Sequence, residues 1–181
     1  MSEGEVYMEI YVPDLYKKSI YDINYKKLKQ SGIKCLLFDL DNTLIPYNEK
    51  LPTKKIKDLF ISLKDMGFKV IIFSNSGKKR LQPFKEQLNV DVCYRCFKPS
   101  PKKFLYVMEH FNYNESQIAI VGDQFYTDII GGNKVGITTI LVNPISAKSD
   151  MILTKVQRMR EKKLIKKLSK ANLFYKGKYY G

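Results

Sequence analysis

The 181 residues carry 32 Lys or Arg against 18 Asp or Glu, a formal charge of +14, and 44% of them are apolar, enough for the core of one ordinary domain. The opening Met1-Ser2-Glu3-Gly4-Glu5 puts acid where a secretory signal puts base, and the apolar runs at 35–38 and 70–73 are too short for a bilayer. Neither a signal peptide nor a membrane span is expected, and three cysteines suit a reducing cytoplasm better than a disulfide framework. Cys93 and Cys96 form a C-x-x-C, but zinc needs two more ligands, and only Cys35 and the single histidine, His110, remain to supply them.

Residues 1–33 read as a strap, rich in tyrosine and broken by Pro13, with a short helix from Tyr25 to Gln30 capped by Asn24 and stopped before Gly32. Residues 34–146 read as the core. Its first strand is the apolar run 34–39, of the kind a strand buried on both faces produces. Thr53 caps a helix with Ile56, Leu59, Phe60, Leu63 and Met66 at steps of three and four, closed by Gly67, and a second buried strand covers 69–73. Pro83 must lie in a first turn, so the next helix is placed from about Arg80, followed by a weaker strand at 91–95. Ser100 and Pro101 suit the N-cap and first position of a helix with Phe104, Val107, Met108 and Phe111 on its apolar face, which His110 ends. A strand at 118–121, a helix near 126–135 and a strand at 138–142 complete the alternation. The pattern predicts an α/β fold with a five-stranded parallel sheet covered on both sides, with sites at the carboxyl ends of the strands.

The first strand runs into Asp39-Leu40-Asp41-Asn42-Thr43-Leu44, where two carboxylates two positions apart can face the same space. Without a cation they raise one another's pKa; with a divalent ion one stays ionised while the other serves as a proton donor. An Asp-x-Asp alone is also an ordinary turn pair. Here it is followed in order by Ser74-Asn75 after the second strand, Lys98-Pro99 after the third, and Gly122-Asp123 with Asp128 after the fourth. The P-loop pattern is absent, and arginine does not stand six after any cysteine, so nucleotide P-loop and cysteine-phosphatase chemistry are excluded.

The ordered set D-x-D-x-T, S-N, K-P, G-D-x-x-x-x-D resembles that of the haloacid dehalogenase (HAD) superfamily. The stretches at 39–46 and 122–133, with the basic tail, are most similar to the YqeG-like phosphatases of subfamily IIIA, related to phosphatidylglycerophosphatase. Ser76-Gly77 departs from the further asparagines common in such relatives. The resemblance implies a Rossmann-like three-layer core and a phosphomonoesterase. In it Asp39 is the nucleophile that takes the phosphoryl group, Asp41 the acid/base partner, and Thr43, Ser74, Asn75 and Lys98 the holders of the phosphoryl group. Mg²⁺ would sit at the Asp39 carboxylate, the Asp41 carbonyl and Asp123, with Asp128 direct or through water.

Asp39 to Ser74 spans 35 positions and Ser74 to Lys98 spans 24, each filled by a helix, a strand and turns, so a large cap domain is not expected. Such a site admits a phosphate on something large: a lipid headgroup, a polynucleotide end or a protein. Residues 147–181 read as a basic tail, partly helical. From Met151 onward it holds ten Lys or Arg and one Glu, with Ile152, Val156 and Met159 at helical steps, then a five-residue step to Leu164, Ile165 and Leu168. A bent helix or two short turns is expected, and its charge suits an anionic membrane face. The resulting expectation is a cytoplasmic enzyme, peripheral on the inner membrane face, acting on phosphatidylglycerophosphate. The alternatives are a phosphatase for nucleic-acid ends, proteins or other large esters, and a non-catalytic RNA-binding protein.

Overall fold

The computed structural model describes residues 8–146 and 152–181. Strands β1 (Leu15–Lys17), β2 (Cys35–Phe38), β3 (Lys69–Phe73), β4 (Asp91–Cys93), β5 (Ile118–Gly122) and β6 (Thr138–Val142) form one sheet, all parallel, in the order β1-β6-β5-β2-β3-β4. The sheet has six strands where the sequence predicted five. The addition, β1, pairs through Leu15↔Ile140, Tyr16↔Leu141 and Lys17↔Val142. Only its central residue is buried, so it leaves no apolar run to read.

Alternation along the central strands explains the layers. Leu36 and Phe38 of β2 point to one face, where they meet Phe60 and Leu63 of α2 (Lys54–Asp65) and Leu81 and Phe84 of α3 (Lys78–Leu88). Cys35 and Leu37 point to the other, against Phe104 and Val107 of α4 (Lys102–His110). Every residue of β2 is therefore buried, which is why the strand reads as a continuous apolar run.

The caps mostly follow the sequence. Asn24 accepts from the Lys27 N–H at the start of α1 (Tyr25–Gln30), and Thr53 accepts from the Ile56 N–H. Two boundaries move. Helix α3 starts at Lys78, with Pro83 inside it, two residues earlier than the proline argument placed it. The N–H that Pro83 lacks would have bonded the carbonyl of Lys79, and that residue is exposed, so water can satisfy it. Helix α4 begins after Pro101, without a side-chain cap from Ser100.

The strap is tied to the body by polar contacts. Asn133 donates to the carbonyls of Ile10 and Val12 at 2.8 and 3.0 Å, and Asp14 accepts from the Thr139 N–H at 2.7 Å.

The largest difference from expectation lies at the carboxyl end. Helix α6 (Ile152–Lys170) is one continuous element rather than two short turns. Its buried face is Glu161, Leu164 and Leu168, so the five-residue gap between Met159 and Leu164 is filled by a glutamate. Val156 and Met159 face outward. Leu164, Leu168 and Phe174 join Tyr16, Phe125, Ile129 and Leu141 in a third apolar cluster. Tyr180 then exchanges two backbone hydrogen bonds with Tyr16, 3.0 and 3.1 Å, so the basic tail is part of the packed body. Among the described residues, no helix is long and apolar enough to cross a membrane.

Candidate active site

The four motifs converge at the carboxyl ends of neighbouring strands. Asp39 follows β2 directly, its N–H bonded to the Val121 carbonyl at 2.9 Å. Lys98, delivered by the segment after β4, is buried and donates to Asp39 at 2.7 Å, to Asp128 at 2.6 Å and to the Phe73 carbonyl at 3.0 Å. Asp39, Asp123 and Asp128 each offer a carboxylate oxygen within 4.8 Å of the others, and all three residues are buried.

Local backbone chemistry places Asp128. A π-helical turn (Phe125–Ile129) leads into a short helix, α5 (Ile130–Asn133), and its wider step lets Asp128 turn back to accept from the Gln124 N–H at 3.2 Å. Gly122 is required there: a Cβ on it would stand 2.2 Å from Asp128 Cγ. We expect Gly122→Ala to lower kcat/KM by about 100-fold, because ångström-scale displacement of a site group costs that much, while the melting profile stays cooperative. An unchanged kcat/KM would show that Asp128 tolerates displacement.

The other residues singled out by sequence take these places. Thr43 donates to Asp123 at 2.9 Å, bracing the first loop against the fourth. Ser74 is buried, and its hydroxyl accepts from the Ser76 N–H at 3.1 Å. Asn75 clamps the backbone of Lys98, its amide oxygen accepting from the Lys98 N–H at 2.7 Å and its amide nitrogen donating to the Lys98 carbonyl at 3.3 Å. Asp41 lies outside the three-carboxylate group. Ser76 donates to it at 2.8 Å and Arg80 at 2.8 and 3.1 Å.

Three participants were not read from the sequence. Arg80 was taken only as a helix start, yet it holds Asp41 and also reaches the Glu49 carbonyl. Arg158 of α6 pairs with the Asp123 carboxylate and donates to the Asp123 carbonyl at 3.1 Å. Glu161 accepts from the Phe125 N–H at 2.7 Å and pairs with Arg158 at 3.3 Å. The visible signal for Glu161 was the gap in the apolar stripe of α6; assigning it to the site requires the helix to be docked first.

Electrostatics follow from burial and pairing. Burial pushes the Asp39 carboxyl up to about 8, with the Lys98 ammonium pulling the other way and Asp128 and Asp123 reinforcing the rise. Asp123 is also raised by burial, against the pull of Arg158. Burial disfavours the charge on Lys98, but Asp128 and Asp39 outweigh it and the ammonium is held. Glu161 is raised to about 7 by burial, with Arg158 opposing. A dry carboxylate group of this kind fits a hard divalent cation, which supplies the positive charge that desolvation makes scarce.

Residues 7–146 match the family model described as mitochondrial PGP phosphatase. The chain is 33% identical over 162 residues to the protein named "Probable phosphatase YqeG" of Bacillus subtilis (strain 168), covering 90% of this chain and 94% of that one. It is 26% identical over 165 residues to "Phosphatidylglycerophosphate phosphatase 1, chloroplastic/mitochondrial" of Arabidopsis thaliana, covering 86% of this chain and 47% of that longer protein. A similar fold (TM-score 0.53, 16% identity, 67% of this chain and 75% of the other) occurs in 3-deoxy-D-manno-octulosonate 8-phosphate phosphatase from Moraxella catarrhalis, solved with magnesium, phosphate and KDO. With the four motifs gathered at one end of the sheet, these matches show that the chain belongs to the mitochondrial PGP phosphatase family and is a phosphoric monoester hydrolase of the HAD type.

Proposed function

We propose that this phosphatase is magnesium-dependent, works through an aspartyl phosphate and removes the terminal phosphate of phosphatidylglycerophosphate. The observation that carries the reading is the buried group in which Lys98 joins Asp39 to Asp128, with Asp123 beside them. An Asp39 oxygen attacks phosphorus, forming the acyl phosphate as the bond to the leaving alkoxide breaks. Asp41 protonates that alkoxide, then takes a proton from the water that hydrolyses the acyl phosphate, work worth about 10²–10⁴ in rate. Ser76 and Arg80 hold the Asp41 side chain, which stays about 19% exposed and so accessible to a leaving group. Lys98 orients Asp39 and offsets the charge brought by the phosphoryl group; Thr43 and Ser74 line the loops on either side.

Asp39, Asp123 and Asp128, with the Asp41 carbonyl, would hold Mg²⁺, an all-oxygen set that suits it. When bound, the ion polarises the phosphoryl oxygens and keeps the carboxylates ionised.

The lipid substrate is supported by the name of the Arabidopsis relative and by the basic character of α6 and the residues after it, which suits an anionic leaflet at the inner membrane face. A phosphate-release screen over lipid, nucleotide, sugar and peptide monoesters tests the reading. We expect turnover of phosphatidylglycerophosphate with Mg²⁺, loss of it with chelator and recovery on adding Mg²⁺ back. Good turnover of soluble sugar phosphates with none of the lipid would overturn the substrate assignment, and undiminished activity in chelator would overturn the metal. Preferential turnover of a phosphorylated polynucleotide end would assign the basic surface to nucleic acid instead.

A further inference from the structure

A cleft of about 340 Å³ opens beside the carboxylate group, between α6, the end of β6 and the segment that follows α6. Asp123 belongs both to the three-carboxylate group and to the cleft wall, so the cleft adjoins the site. The floor is apolar: Phe125, Leu141, Ile165 and Phe174. Its polar part is basic. Arg158 stands at the inner end, held by Asp123 and Glu161, while Lys162 and Lys176 stand exposed at the rim, from two different segments.

We propose that this cleft takes the glycerophospholipid part of the substrate, resting on the lipid reading above. The phosphodiester lies among Arg158, Lys162 and Lys176, and the first methylenes of the acyl chains lie on the apolar floor. Arg158 is already engaged by Asp123 and Glu161, so the exposed ammonium groups of Lys162 and Lys176 supply the charge that meets the phosphodiester. The volume falls at the small end of the roughly 300–1,000 Å³ typical of ligand sites, enough for a glycerol phosphodiester and a few methylenes but not for whole chains, which would stay in the membrane. A sugar phosphate would bury hydroxyls against the floor without partners. A nucleic-acid end would need an open ring face to stack on, whereas Phe125 and Phe174 are buried and packed edge to face, 5.2 Å apart.

The test compares the full chain, in Mg²⁺, on dihexanoyl phosphatidylglycerophosphate kept monomeric and on p-nitrophenyl phosphate. A monomeric lipid separates recognition in the cleft from attraction to a charged surface. The variants are Lys162→Glu with Lys176→Glu, and Met159→Glu, which places a carboxylate on a cleft-lining side chain that is 59% exposed. All three positions are exposed, so the fold is retained. We expect the ratio of the two kcat/KM values, lipid over aryl phosphate, to fall about tenfold or more in the double variant and about threefold in Met159→Glu, with the loss in KM for the lipid. If the unmodified enzyme turns over the lipid and the ratio does not move, the cleft assignment is wrong and the lipid reading stands. If the unmodified enzyme hydrolyses the aryl phosphate but not the lipid, both fall.

Discussion

Asp39→Asn abolishes phosphate release, by about 10⁴-fold or more, and leaves the fold standing. The expected loss follows from the nucleophile role proposed for Asp39: a carboxamide does not form the acyl phosphate. The stability expectation follows from burial. With the Asp39 carboxyl pushed up to about 8, the metal-free fold favours the neutral side chain. Its contribution is fully present below the ordinary carboxylate pKa and is lost as pH rises through that raised value. An amide of the same shape removes the dependence, and Lys98 keeps Asp128 and the Phe73 carbonyl as partners. In chelator, the Asp39→Asn protein therefore melts no lower than the unmodified one at pH 8. Residual turnover above about 1% would take the nucleophile role from Asp39.

We expect removal of residues 151–181 to cost aryl phosphate turnover as well as the proposed lipid turnover, because the protein loses part of its core along with its basic surface. As a dispensable membrane-binding tail, the segment would be expected to leave aryl phosphate hydrolysis intact on removal. The packing gives the opposite expectation. Leu164, Leu168 and Phe174 are 7%, 0% and 2% exposed, and burying side chains of this size is worth about 1.5–3 kcal/mol each. Together that is comparable to the roughly 5–15 kcal/mol that holds a whole domain. The cut also removes Glu161 from the Phe125 N–H and Arg158 from Asp123, so the loop carrying Asp128 loses its brace. Phe174→Ala gives a graded version: a loss of about 3–5 kcal/mol in denaturant unfolding, read against Lys170→Ala as an exposed control. A truncated protein that melts like the full chain and keeps its aryl phosphate turnover would show the segment to be an appendage after all.

The alternation of buried strands and amphipathic helices was legible from residue order alone, because both periodicities are local. Strands β3 and β6 coincide with their predicted ranges, and α1 and α2 keep their predicted caps. The motif residues were legible for a related reason: in a parallel sheet every strand ends at the same face, so polar groups placed just after strands are brought together whatever the strand order. Asp39, Lys98, Asp123 and Asp128 meet in this way.

What local pattern does not carry is the pairing of segments far apart in the chain. Strand β1 is too short to announce itself and exists through β6, more than a hundred residues later. The partners of Asp41 and Asp123 are arginines that read as surface charge until α3 and α6 are docked. Glu161 looked like a break in an apolar stripe, and the Phe125 N–H and Arg158 beside it make a buried carboxylate the right residue there. Periodicity thus determined the architecture, and the resemblance carried by the ordered motifs implied the reacting groups. Tertiary contact decided that the basic tail belongs to the core and borders the site, because burial of a charged side chain depends on what faces it across space.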